Sequence, residues 1–456
     1  MFKLLSGIIA AVAIVTGVFI PIYLQRVPDM PNLDHQRWWG VGKKTEDEDT
    51  SIRPFKIEFD DAMIEDLRRR LRNKRPLTMP LQGIQSQYGI NTIYLEKKLK
   101  YWMEEYDFKK RAELLNAYPH FKTKIQGLDI HFIRVKPHVT DKKALPLLMM
   151  HGWPSSSKEF DKVIPLLTTP RKGYDFVFEV VAVDLPGFGF SEGTTKPGLN
   201  PAQMAIMMRN LMRRIGFSKF YIQAGDWGSQ VGSHMATIFP DEILGFHTNM
   251  PTSSRPLTYV KILVGSWFPF MFKHAERIYP LRRSISVLVR ESGYFHIQAT
   301  KPDTIGVALT DSPAGLAGYL MEKLGMCSNR NQLDTPHSGL DNLDIDDVLD
   351  IITIVWANNC IVTASRIYAE GVTGIWPEVK ILHNIPTPVP TAAINFLHEV
   401  TYQPDWMLKD KYPNLVRSTT LDFGGHFAAL QTPEVFANDI FDATVAFIDF
   451  HKRNVK

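Results

Sequence analysis

Five short apolar runs, each closed by turn residues, most constrain how this chain can fold: "ALPLLMMHG", "FVFEVVAVDLPG", "FYIQAG", "ILGFHTNMP" and "PTAAINF". They are too short for ordinary helices and lack the polar alternation of a half-exposed sheet, so they read as strands buried on both faces. Helical patterns stand between them. The clearest is "NPAQMAIMMRNLMRRIGF", with Asn200 as cap, Pro201 in the first turn and Gly216 as stop. Its methionine stripe reads as core. Strand and helix in turn require a mainly parallel sheet with helices on both faces, an α/β architecture.

Between about Thr252 and Ile385 helical segments take over, after which "PTAAINF" and "LVRSTTLDF" resume the strands. An inserted helical lid over residues 253–385 accounts for this, with the core split into 121–252 and 386–456. The last lid helix is read as Ile345 to Glu370, with Asp346 and Asp347 in its first turn and Gly371 as stop. Residues 51–120 read as a separate N-terminal domain. One amphipathic helix runs from Asp60 to Arg75, with Met63, Leu67 and Leu71 four apart, and a second covers Thr92 to Phe108. The alternation in "KIQGLDIHFIRVKP" predicts a hairpin.

From Leu4 to Leu24 the chain is uncharged and about as long as the roughly 20 residues that cross a bilayer. It exceeds the apolar stretch of a cleaved signal peptide and no small-residue cleavage site closes it, so residues 1–25 read as a transmembrane anchor. Arg26, Arg37, Lys43 and Lys44 after it outnumber Lys3 before it, which places the body on the cytosolic side. Residues 26–50 read as a linker along the membrane face, with Trp38 and Trp39 either at headgroup depth or packed on the N-terminal domain. Only two cysteines, Cys327 and Cys360, are present, so no disulfide framework is expected. Lys and Arg are scattered and the net charge is +4, which gives nucleic-acid binding no support.

The chemistry centres on "AGDWG", a small-x-nucleophile-x-small pattern between a strand and a helix. Such a turn forces small neighbours and pushes one side chain out over the sheet. Here that side chain is the carboxylate of Asp226, whose attack on an sp3 carbon would give a covalent ester. The alternative is an acid that merely caps the following helix. The partners of an elbow nucleophile follow in the order nucleophile, acid, histidine, and "LDFGGHFAAL" supplies His426 after the last strand run. Glu399, just beyond "PTAAINF", is the leading candidate for the orienting acid, with Asp405 and Asp422 in competition. "MHGWPSS" ends an earlier strand in a turn able to aim the Trp153 N–H at an oxyanion, and Trp227 offers the second donor. "HEVTY" has Tyr402 where a zinc helix needs its second His, and "DLPGFGFS" lacks the endings of a phosphate loop. No metal or cofactor is expected.

Together "HGWP", "DLPGFGFS", "GDWG" and "GGHFAA" resemble the epoxide hydrolases of the α/β-hydrolase fold. The apolar N-terminal run and "FKIEFDDAMIEDLRRRL" resemble the microsomal branch, and within it the insect juvenile hormone epoxide hydrolases. The resemblance implies Asp226 as nucleophile, Glu399 and His426 as acid and base, Trp153 and Trp227 as oxyanion donors, and two lid tyrosines, Tyr294 and Tyr368, as donors to the epoxide oxygen. It implies a lipophilic epoxide and water as reactants, a vicinal diol as product, and a single-pass endoplasmic reticulum protein in contact with membrane lipid. The rivals are a xenobiotic epoxide hydrolase, a haloalkane dehalogenase, which would need indole or amide donors around a halide, and a membrane-tethered lipid binder without catalysis. The apolar lid stretch "VGSWFPFMF", Val264 to Phe272, speaks for a lipophilic substrate.

Overall fold

In the computed structural model, which describes residues 24–44, 48–139 and 141–454, the apolar runs become the middle of one sheet. Among the described residues it has nine strands: β1 Arg53–Phe55, β2 His120–Ile125, β3 Leu128–Val135, β4 Lys143–Met150, β5 Phe176–Val183, β6 Phe220–Ala224, β7 Ile243–Thr248, β8 Thr391–Asn395 and β9 Leu415–Thr420. Their order is β1-β2-β3-β5-β4-β6-β7-β8-β9, antiparallel as far as the β3–β5 pair and parallel from β5 onward. The sheet is thus mainly parallel, as its uninterrupted apolar strands require. Along β4, Leu148 and Met150 join one core cluster while Leu147 and Met149 join the other. Neither face is left for water.

The helix Pro201–Ile215 covers the first face, with Asn200 accepting from the N–H groups of Ala202 and Gln203 and with Gly216 left-handed at φ 107°. Its methionines 204, 207, 208 and 212 are buried core. The hairpin of β2 and β3 closes through Gln126 and Gly127, both at positive φ (51° and 89°), the two-residue turn whose twist suits antiparallel strands. The strand β1, only three residues long, carries no periodicity and was not foreseen.

Several boundaries differ from the sequence reading. The segment expected from Thr92 to Phe108 is two helices, Thr92–Glu104 and Phe108–Leu115, because Asp107 caps the second by accepting from Lys110 N. The lid helix expected from Ile345 to Glu370 breaks into Ile345–Ala357 and Ile361–Val372, which lie at 91°. Asn359 takes a left-handed φ of 49° at the break, a conformation asparagine tolerates better than most residues. A further lid helix, Pro377–Asn384, follows. Gly371 is not a stop: it lies inside the second helix, where a Cβ would meet the Trp227 ring at 2.7 Å.

Residues 26–44 do not trail along a surface as a free linker. Trp39 is 1% exposed, donates its backbone N–H to Gln126 O at 2.8 Å and carries the Arg37 guanidinium over its ring at 4.4 Å. The Trp38 ring lies against Gly127 at the hairpin turn. Both tryptophans therefore pack on the body. The expected anchor at Leu4–Leu24 lies, but for its last residue, outside the described residues, and among those described no single helix is long and apolar enough to cross a membrane.

The N-terminal helices pack against the lid through buried polar contacts. Asp350 on the helix Ile345–Ala357 accepts from Tyr106 OH at 2.7 Å and from Arg111 Nε at 2.9 Å, while Trp102 Nε1 donates to Thr353 at 2.9 Å. A second buried relay ties the hairpin to the sheet: Leu115 O, His120, His131 and Asp184 are linked at 2.8, 2.9 and 2.8 Å. At the two ends of the relay the carbonyl of Leu115 and the carboxylate of Asp184 are acceptors, and burial, with His131 beside it, lowers His120 to about 4. Burial opposes ionisation of that carboxyl, but His131, His151 and the Phe190 N–H hold it well below the usual range.

Candidate active site

Asp226 is the first residue of the helix Asp226–Ile238, directly after β6 and Gly225, and its φ is +46°. A non-glycine residue in that region is strained, and the surroundings show what holds it. A Cβ on Gly225 would stand 2.7 Å from Asn249 Oδ1, one on Gly228 2.4 Å from Met150 O, and one on Gly152 2.1 Å from Asp226 Oδ1. The small residues are there because neighbouring chain occupies the space.

The carboxylate is held on one side by backbone amides. Trp153 N–H donates to Asp226 Oδ1 at 2.9 Å, and the N–H of Trp227 also bonds the carboxylate. The turn bearing Trp153 is held by buried His151, whose Nδ1 bonds Gly152 O at 2.8 Å and whose Nε2 accepts from Leu185 N at 3.1 Å. On the other side, His426 Nε2 lies 3.5 Å from Asp226 Oδ2, while His426 Nδ1 bonds Glu399 Oε1 at 2.7 Å. Asp405 and Asp422 are both exposed, so the open choice of acid resolves geometrically to Glu399. Val400 N–H donates to Glu399 Oε1 at 2.6 Å. The His426 loop is fastened by its own N–H to Cys327 O at 3.0 Å and by Asn249 Nδ2 to His426 O at 3.4 Å.

Two lid tyrosines complete an aromatic wall. Tyr294, on the helix Gly293–Thr300, stacks on Trp153 at 5.4 Å; Tyr368, on Ile361–Val372, meets Trp227 edge-on at 4.9 Å and lies 6.0 Å from Tyr294. The structure therefore brings Asp226, Glu399, His426, Tyr294, Tyr368, Trp153 and Trp227 into one cluster, buried except for Asp226 and Tyr294, which are partly exposed.

The electrostatics follow from burial and proximity. Burial pushes the Asp226 carboxyl above its ordinary range, while His426 and the Trp227 and Trp153 amides pull it back toward the ionised form. Burial disfavours charge on His426, yet Glu399, Asp226 and Glu159 overcome it and the imidazole is pushed up to about 9. Burial raises both phenols well above the usual tyrosine range, and the negative charge of Asp226 adds to it, so each keeps its proton to donate.

Glu159 was missed in the sequence. It is buried in the short turn Ser157–Phe160 that follows the Trp153 turn, and burial pushes its carboxyl up to about 7 against the pull of His426. Its only sequence signal is an acid in the otherwise polar "SSSKEF". The stretch Val264 to Phe272 also departs from its reading: Trp267 and Phe270 are 80% and 84% exposed and face outward.

The comparisons fit this geometry. Residues 52–160 match the family described as epoxide hydrolase N terminus, and 146–280 match the alpha/beta hydrolase fold. The juvenile hormone epoxide hydrolase of Manduca sexta is 66% identical over 462 aligned positions, covering 100% of both chains. The chain belongs to the microsomal-type epoxide hydrolases. Epoxide hydrolase 1 of Sus scrofa is 42% identical across 88% of this chain and 91% of its own. The crystal structure of juvenile hormone epoxide hydrolase from Bombyx mori is 44% identical and superposes with a TM-score of 0.90, over 92% of this chain and 100% of that one. An epoxide hydrolase is a hydrolytic enzyme, and a carrier without catalysis is set aside.

Proposed function

We propose that this epoxide hydrolase opens lipophilic terpenoid epoxides such as juvenile hormone through an ester on Asp226. The observation that carries the mechanism is the division of the carboxylate: Oδ1 sits on the Trp153 amide and Oδ2 faces His426. Oδ2 is thus the free nucleophile. It attacks an epoxide carbon, the carbon–oxygen bond breaks, and a proton from Tyr294 or Tyr368 meets the alkoxide. Loss of the Asp226 charge then leaves His426 held up by fewer anions, which favours its neutral form as a base. Water deprotonated by His426, with Glu399 steadying the imidazolium, attacks the ester carbonyl. The oxyanion forms on Oδ1, which the Trp153 amide already holds, with the Trp227 amide also bonding the carboxylate. The bond between Cγ and Oδ2 breaks, the departing oxygen takes the proton held by the His426 imidazolium, and the diol leaves carrying Oδ2; water's oxygen stays on Asp226, and its remaining proton returns to the tyrosinate, restoring carboxylate and phenol.

Support for the hormone as substrate lies in the names of the relatives. We place the enzyme on the endoplasmic reticulum membrane, held by Leu4–Leu24 with its body toward the cytosol, on the apolar run and the basic residues after it. Protease protection of the body in sealed microsomes would reverse that sidedness. A single turnover in oxygen-18 water with enzyme in excess tests the chemistry. The first diol should carry no label, which appears instead in the Asp226 peptide; a labelled diol would mean direct attack by water. A kcat/KM for styrene oxide equal to or above that for juvenile hormone would move the assignment to foreign epoxides.

A further inference from the structure

The lid carries an apolar surface that the catalytic reading does not use. On the helix Pro256–Gly265, Tyr259, Val260, Leu263 and Val264 are exposed, and Trp267, Phe268, Phe270 and Met271 continue the surface. The helix Leu281–Glu291 adds Ile285, Leu288 and Val289, and buries none of its residues. A soluble helix normally turns its apolar face inward; this one points it outward. Contiguous exposure of this kind marks an interaction site.

Charge identifies the partner. Between Pro256 and Glu291 there are six Lys or Arg (261, 273, 277, 282, 283 and 290) against two acids, Glu276 and Glu291. Lys261 is engaged by Asp410 at 2.6 Å and Arg290 by its neighbour Glu291 at 2.7 Å, whereas Lys273, Arg282 and Arg283 are exposed around the apolar groups. Aromatic and aliphatic groups ringed by cations match the headgroup zone of a bilayer with anionic lipid. The chain path agrees: Arg255, at the cap of the first of these helices, donates through Nη2 to Gln25 O at 3.2 Å. The residue that follows the apolar run Leu4–Leu24 is thereby fastened at the root of the patch.

We propose that this lid face lies in the headgroup region of an anionic bilayer, a second membrane contact independent of any anchor at the amino terminus. Ser292 alone separates the helix Leu281–Glu291 from the one that carries Tyr294. The contact sets the lid of the active site against the phase in which an apolar epoxide concentrates.

The test uses the full chain on vesicles of phosphatidylcholine with and without phosphatidylserine. Both native cysteines are buried, so Phe270→Cys can carry an environment-sensitive dye, with Leu114→Cys on the exposed part of the helix Phe108–Leu115 as control. The dye at 270 should be quenched by spin-labelled lipid, more strongly with phosphatidylserine, while the dye at 114 is not. Arg282→Gln with Arg283→Gln should remove the phosphatidylserine dependence. Equal, aqueous behaviour of both dyes on vesicle-bound enzyme would overturn the proposal, leaving a body tethered by its amino terminus alone. Shielding at 270 that grows only with enzyme density would overturn it in favour of a second copy.

Discussion

His426 and Asp226 face each other at 3.5 Å, near enough for charge attraction and too far for a full-strength hydrogen bond. The imidazole is instead bonded at 2.7 Å to Glu399, on its other nitrogen. The ring stands beside Asp226 without tying up Oδ2, as the base we propose for the second half-reaction must.

Replacing His426 by Gln should therefore stop the second half-reaction and spare the first. Steady-state turnover should fall by about 10³-fold or more, the scale of losing a general base and its orienter. Intact-protein mass spectrometry should find the enzyme heavier by one substrate. A variant that never gains that mass would place His426 in the alkylation step as well.

The pH dependence follows from the same pair. In the free enzyme the imidazole is pushed up to about 9, with Glu399 and then Asp226 as the raising charges. It is mostly protonated below that pH. Asp226→Asn removes one of those charges and should lower the His426 midpoint, read by NMR of the ring. Ester formation neutralises Asp226 likewise, so ester hydrolysis, followed after rapid mixing, should rise with pH along a midpoint below that of the free enzyme.

The two phenols should share the proton donation. Tyr294→Phe or Tyr368→Phe alone should slow alkylation by roughly 10-fold to 10²-fold, and the pair together by more, since general acids contribute about 10²–10⁴-fold. Pre-steady-state ester formation is the readout, with ester hydrolysis as the step that should stay unchanged.

Gly371 tests the packing behind Tyr368. An added methyl would meet the Trp227 ring at 2.7 Å, and that ring is packed against Tyr368. Gly371→Ala should cost about 1–3 kcal/mol by overpacking and reduce alkylation more than binding. Denaturation midpoints and single-turnover rates separate the two effects.

Asp184→Asn should deprive the buried His131 ring and the Ser157 and Phe190 N–H groups of their charged acceptor. Leaving a buried donor without its acceptor costs about 1–3 kcal/mol. A lowered unfolding midpoint, lessened when His131 is also changed to Gln, would show that the charge and not the side-chain volume is responsible.

Much of this was legible locally. A run such as "FVFEVVAV" can only be buried on both faces, and "AGDWG" announces an elbow because a turn that tight tolerates nothing larger beside Asp226. The break at Asn358–Cys360 was not legible, since apolar periodicity runs through it and the bend depends on one left-handed residue. Nor was the outward orientation of Val264 to Phe272. Hydropathy reports that a segment avoids water, without saying whether protein or another phase covers it.

The order of apolar runs, turns and nucleophile determined the α/β architecture and the position of Asp226, because burial and turn sterics act over a few neighbouring residues. Only the tertiary structure decided that Glu399 rather than Asp405 or Asp422 meets His426, that Tyr294 and Tyr368 close over Trp153 and Trp227, and that Glu159 lies near enough to act on the imidazole. These are relations between residues far apart in the chain. They exist once the sheet and lid have closed, and the low-dielectric interior that shifts their proton affinities exists only then.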